Sequence, residues 1–106
     1  MIIPNPKKNK PMRLRAKIDG NQNRIVEGLR RCGYSVQVLS MVGKGFPDLL
    51  VGAKGRNVLI ELKDPAQPPS KRKLTEDERK FFDGWRGQVH TAETVEDILN
   101  IINQSS

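Results

Sequence analysis

Residues 47–63 read PDLLVGAKGRNVLIELK, which is two apolar runs on either side of a short polar segment. Each run has the length of a strand, and Lys54-Gly55 between them is typical of a tight hairpin turn. A two-residue turn at that position places Asp48 directly opposite Glu61. The sequence therefore predicts an antiparallel hairpin with two carboxylates side by side at its open end.

The paired carboxylates point to metal binding. Directly opposed residues share one face of a sheet, with Cβ atoms about 4.5–5.5 Å apart, and two bare carboxylates at that distance repel unless a cation lies between them. Side chains alternate along a strand, so Lys63 lies on the same face as Glu61. Two interpretations compete with a metal site: Asp48 as a turn residue, and Glu61 with Lys63 as an ordinary surface ion pair. Burying a charge costs free energy unless the charge is paired, so charges at the end of a buried strand favour the metal site. Two oxygen ligands and an ammonium suit Mg²⁺ and phosphate chemistry.

Composition and charge limit the class of protein. The chain has 106 residues, 36% of them hydrophobic and 29% charged, as expected for one small soluble domain. Its net charge of +7 favours a polyanionic partner, nucleic acid ahead of membrane. No apolar run approaches the roughly 20 residues of a membrane span. The single Cys32 fits a reducing cytoplasm, and one cysteine with one histidine rules out a His/Cys zinc site.

The chain divides into an arm and a domain. Residues 1–17 carry six lysines and arginines and no acid, with prolines that keep the segment irregular. This basic N-terminal arm is predicted to be flexible, and it is either a solvated tail or a segment that follows phosphates. Residues 18–106 form the predicted domain.

Turn and capping signals divide the domain into helices and strands. The first helix is predicted from about Gln22 to Cys32, with Asn21 as its N-cap and Gly33 at its end. Strands are predicted at 34–41, in the two runs of the hairpin and at 87–91, with helices that begin at Thr75 and after Thr94. Helical spacing predicts that Cys32 and Trp85 are buried. The order α-β-β-β-α-β-α, with a right-handed crossover between the last two strands, predicts an α/β fold with a mixed central sheet flanked by helices.

These residues resemble a known family. Residues 45–52 (GFPDLLVG), followed by Glu61-Leu62-Lys63 on the next strand, resemble the PD-(D/E)XK nuclease superfamily with its restriction-endonuclease-like core. Within it, the chain is similar to the small stand-alone VRR-NUC domains of phages and bacteria. The resemblance covers about residues 18–103 and leaves out the basic arm.

The resemblance implies a metal-dependent DNA endonuclease for branched substrates such as Holliday junctions or flaps. By that likeness, Asp48 and Glu61 bind Mg²⁺ or Mn²⁺, the Leu62 carbonyl adds an oxygen ligand, and Lys63 orients or activates the attacking water. Gln22 stands where an acidic or polar residue often completes the site; a glutamate is common there, so Gln22 is a departure. Glu78 stands where related nucleases often carry a glutamine, and a capping role explains it equally well.

The sequence also predicts further DNA-contacting residues and the oligomeric state. Lys71-Arg72-Lys73 follows the strand that ends with Lys63, and Lys44 lies between two glycines, so phosphate contacts are expected. A four-way junction has two-fold symmetry and one chain offers one site, so a homodimer is predicted. No small-molecule cofactor is expected. The alternatives are a non-catalytic DNA-binding module, which Gln22 keeps open, and an RNA nuclease.

Overall fold

The computed structural model describes residues 21–104. The predicted arm at 1–17 and its boundary with the domain lie outside the described residues. Within residues 21–104, every helix is too short or too polar to span a lipid bilayer.

The sheet has the predicted mixed topology. Its four strands lie in sequence order, with antiparallel pairing of the first two pairs and parallel pairing of the last. They are β1 (Ser35–Val38), β2 (Leu49–Ala53), β3 (Arg56–Leu62) and β4 (Val89–Ala92). Lys54 and Gly55 both have positive φ, +54° and +77°, as a type I′ hairpin turn requires. This turn fixes the predicted register, in which Leu50 pairs with Leu59.

Three helices flank the sheet, and their ends follow local capping chemistry. Among the described residues they are α1 (helical from the first described residue, 21, to 31), α2 (Glu76–Gly84) and α3 (Val95–Gln104), with a 3₁₀ turn at Pro69–Lys71. Gly33 ends α1 with φ +87°, and the Tyr34 amide donates to the Leu29 carbonyl at 3.1 Å, which is a Schellman motif. Thr75 and Glu78 form the predicted capping box of α2. Asn21 is itself helical, so its predicted capping role is wrong.

The main core lies between one face of the sheet and the helices α1 and α3. Ten buried apolar residues form it: Ile25, Val26, Leu29, Leu49, Val51, Val58, Ile60, Ala92, Ile98 and Ile102. The opposite face carries α2, where the Phe46 ring meets the Phe81 ring edge-on at 5.0 Å. Residues 58–61 of β3 are all buried, as expected for a central strand covered on both sides.

Two burial predictions are wrong, for the same physical reason. Cys32 is exposed, and Trp85 keeps 43% of its surface exposed. Each residue follows the last residue of a helix, and Trp85 has the extended torsions φ −79° and ψ 127°. Helical spacing therefore no longer sets the direction of either side chain. The first strand is also shorter than predicted, because the chain leaves the sheet after Val38.

Gly45 lies where the loop before Asp48 packs closely against α2. We expect Gly45→Ala to destabilise the fold by about 3 kcal/mol. Its φ is +81°, and a Cβ would lie 2.6 Å from the backbone of Asp77. Gly43 has a similar φ of +79° with nothing within 4 Å, so Gly43→Ala should cost only about 1 kcal/mol. Urea unfolding of both variants measures the difference, and equal losses would contradict this account.

Candidate active site

The open end of the hairpin brings Asp48 and Glu61 together. Asp48 immediately precedes β2, and the pairing of Leu49 with Ile60 continues to place Asp48 opposite Glu61. The Asp48 Oδ2 atom accepts a hydrogen bond from the Leu62 amide at 2.9 Å. This contact ties the Asp48 carboxylate to β3, next to Glu61.

Glu61 is buried among other acids. It is 5% exposed, and it is the one buried charged residue within the part of the chain that the structure describes. Burial, the negative charge of Asp48 and a hydrogen bond with Glu78 raise the pKa of Glu61 to about 9, against the opposing effect of Lys63. Burial also raises the pKa of Asp48, while the Leu62 amide lowers it. At neutral pH the metal-free carboxylate pair therefore holds a proton, which a divalent cation would displace.

Lys63 points its ammonium into the same group of acids. Its Nζ atom lies 2.8 Å from Glu78 Oε1 and 3.6 Å from Glu61 Oε2, and its side chain is 11% exposed. Glu78 Oε1 also accepts the Thr75 amide at 2.9 Å, so Glu78 caps α2 and holds Lys63 at once. Burial acts to raise the pKa of Glu78, but the hydrogen bonds from Lys63 and Thr75 outweigh it and lower that pKa. Glu78 thus places Lys63 in the site.

A polar cleft of about 290 Å³ opens on the carboxylate pair. Its walls come from α1, from the loop after β1 and from both strands of the hairpin. The lining residues are Asn21, Gln22, Ser40, Asp48, Glu61, Leu62 and Asp64. Ser40 Oγ donates to Gln22 Oε1 at 3.0 Å, which holds the Gln22 side chain at the edge of the cleft.

Sequence reasoning assigned no site role to three lining residues, Asn21, Ser40 and Asp64. Asp64 follows the ELK run directly, so its acidity next to the strand end was an available signal. Its carboxylate also accepts the Ala66 amide at 2.9 Å. Ser40 lies in the loop after β1 and comes to the cleft only through the packing of α1 against the sheet, so nothing local marks it.

The four predicted DNA-contacting cations lie outside the lining of this cleft. Lys44, Lys71 and Lys73 are exposed. Arg72 is partly buried and forms an ion pair with Glu93 at 3.3 Å, which ties the loop to the start of α3. The charge of Arg72 is therefore already engaged within the fold.

The donor set fits a hard divalent cation of the Mg²⁺ type. Among residues 21–104, no three His, Cys, Asp or Glu side chains are arranged to hold a metal ion by themselves. Mg²⁺ does not require such a cage, because it usually keeps several waters and binds through one or two carboxylates together with substrate phosphates. Asp48 and Glu61 supply those carboxylates, and Leu62 brings its backbone to the same cleft.

The fold and the cleft define an α/β protein with a buried carboxylate–lysine site at the end of a hairpin. No family model matches the sequence, and no curated protein matches it. Among solved structures, the chain is similar to a VRR_NUC domain at 28% sequence identity and a TM-score of 0.49. The match covers 80% of this chain and 92% of that one. The description of that structure gives the same family as the one that the sequence motifs resemble.

Proposed function

We propose that this chain is a Mg²⁺- or Mn²⁺-dependent endonuclease that hydrolyses phosphodiester bonds in branched DNA such as Holliday junctions or flaps. One observation carries the proposal: Asp48 and Glu61 occupy opposed positions on neighbouring strands beside a largely buried lysine. The net charge of +7 favours a nucleic acid as the substrate.

In this proposal Asp48, Glu61 and the Leu62 carbonyl hold the metal ion. When bound, such an ion polarises a phosphate oxygen and lowers the pKa of a water molecule. The carboxylate pair is suited to this because Asp48 is fixed by the Leu62 amide and Pro47 before it is fully buried. The ligands are therefore positioned before any substrate arrives, which limits the reorganisation that binding requires.

Lys63 and Gln22 have separate roles in this proposal. Lys63 stabilises the negative charge that develops on the phosphate, because its ammonium is nearly buried and held by Glu78 at 2.8 Å. Gln22 lines the cleft with its side-chain oxygen bonded to Ser40, so its amide N–H groups are the donors it can offer to a water or phosphate.

Two sites are needed for paired cuts in a four-way junction, so we also propose that the enzyme acts as a homodimer with matching two-fold symmetry. Its place of action in this proposal is the cytoplasm of a bacterial or phage-infected cell. Size-exclusion chromatography with light scattering measures the oligomeric state directly.

A non-catalytic DNA-binding module is the second candidate. It is favoured by Gln22 in the cleft, where an acid would add a further metal ligand. The two candidates differ in metal binding, since a module of this kind has no need for a cation at Asp48 and Glu61.

The proposal is tested by cleavage of a labelled synthetic four-way junction and a flap with Mg²⁺ or Mn²⁺ and with EDTA. We expect cleavage only with metal, and loss of cleavage and of Mn²⁺ binding in Glu61→Ala. Glu76→Ala is the matched control, because Glu76 is an exposed acid of α2 in a surface pair with Lys80. If the parent protein cuts none of these DNAs with either ion, the hydrolytic function is wrong.

A further inference from the structure

An apolar groove of about 460 Å³ lies beside the candidate active site. Leu50 and Leu59 form part of its lining, each two residues along its strand from Asp48 or Glu61. Because side chains alternate along a strand, all four lie on one sheet face, about 6–7 Å apart along each strand. The groove therefore continues the surface on which the carboxylates lie.

Trp85 gives the groove a flat aromatic wall. Its ring stacks on Phe81 with centroids 4.9 Å apart and planes 18° apart, and it meets Phe46 edge-on at 6.4 Å. Gly87 leaves space for the indole, since a Cβ there would lie 2.9 Å from Trp85 Nε1. The indole is held in place by these neighbours and still exposes 43% of its surface.

The charge around the groove fits a nucleotide. None of the side chains that line it within the described residues is charged. Along the sequence, Lys44 lies between the lining residues Val42 and Phe46, and Arg86 lies between the lining residues Trp85 and Gly87. Both cations are exposed. An apolar slot with an aromatic wall and nearby cations is the arrangement by which proteins bind the bases and phosphates of single strands.

We propose that this groove binds an unpaired DNA base stacked against Trp85, with the neighbouring phosphates at Lys44 and Arg86. The inference rests on the proposed function, because its occupant is the DNA that the carboxylate site would cut. It deepens that function by assigning the substrate class: DNA with an unpaired nucleotide close to the cleaved bond. A second copy of this chain on the same apolar surface is the competing occupant, which the experiment separates.

Trp85 is the only tryptophan of the chain, so its fluorescence reports on the groove. The experiment titrates the full-length protein in EDTA with a single-stranded dT oligonucleotide and, in parallel, with a blunt duplex of equal length. We expect the single strand to quench Trp85 and the duplex to quench it less. The same titrations with a fluorescein-labelled oligonucleotide give the affinity by anisotropy.

Variants connect the signal to the groove. Trp85→Ala should weaken single-strand binding about 10-fold, and Trp85→Phe should retain most of it. Val42 is 54% exposed at the groove, so Val42→Glu should weaken binding without touching the aromatic stack, and Val42→Thr should not. Circular dichroism and thermal melting verify folding, and the Val42 pair remains informative if Trp85→Ala does not fold.

Two results would overturn the inference. One is unchanged Trp85 emission when anisotropy shows the single strand bound; the other is emission that changes with protein concentration without DNA, which assigns the groove to a second copy. Because the titration is done in EDTA, it is independent of cleavage. Quenching without cleavage on any DNA would leave the groove assigned and reject the nuclease, whereas cleavage without quenching would reject the groove alone.

Discussion

Lys63→Ala is expected to lower the rate of junction cleavage by about 10²–10³-fold, the usual cost of removing one group aimed at developing charge. The Lys63 side chain is 11% exposed and its ammonium contacts both Glu78 and Glu61, so little solvent screens it from a phosphate in the cleft. Single-turnover cleavage of a labelled four-way junction at saturating Mg²⁺ measures the chemical step.

The matched control is Lys80→Ala, which removes an exposed lysine of α2 that pairs with Glu76 on the surface. It should cut at the parent rate. Glu78→Gln should fall between the two, because a glutamine oxygen can still accept the Thr75 amide while the ion pair with Lys63 is lost. If Lys63→Ala cuts as fast as Lys80→Ala, the role assigned to Lys63 is wrong.

The carboxylate pair was predictable because its geometry is local. A two-residue turn at Lys54-Gly55 fixes the register of β2 against β3, and that register alone places Asp48 opposite Glu61. The alternation of side chains then places Lys63 on the same face. The mixed sheet was predictable for a related reason, since each connection is short or contains one helix.

The rest of the site depends on contacts between distant segments. Ser40 bonds Gln22 across 18 positions, and Lys63 bonds Glu78 across 15, so neither contact follows from a local pattern. The ion pair of Arg72 with Glu93 spans 21 positions and likewise follows from no local pattern. The exposure of Trp85 follows from the end of α2 at Gly84, one residue before it, and the ends of helices are the least predictable feature of a sequence.

The metal-free protein is expected to lose stability as the pH rises from 5 to 9. Glu61 has a pKa of about 9 in the fold, against an ordinary value of 4.5. Between these values the folded state keeps a proton that the unfolded state releases. The free energy of unfolding therefore falls with pH across this window, by about 1 kcal/mol per pH unit. The raised pKa of Asp48 acts in the same direction, and urea unfolding in EDTA at several pH values measures the slope.

Glu61→Gln should remove most of that slope and should be more stable than the parent at pH 8, because an amide fills the site without charge. Glu76→Gln, at an exposed acid of α2, should leave the slope unchanged. Saturating Mn²⁺ should stabilise the parent more at pH 8 than at pH 5, since the ion replaces a proton that is bound more tightly at low pH. Glu61→Gln should gain little from Mn²⁺ at either pH. A parent protein whose stability in EDTA is flat from pH 5 to 9 would show that Glu61 ionises freely in the fold. In that case the two carboxylates would not repel each other in the metal-free fold, and a bound cation would gain no affinity by relieving such repulsion.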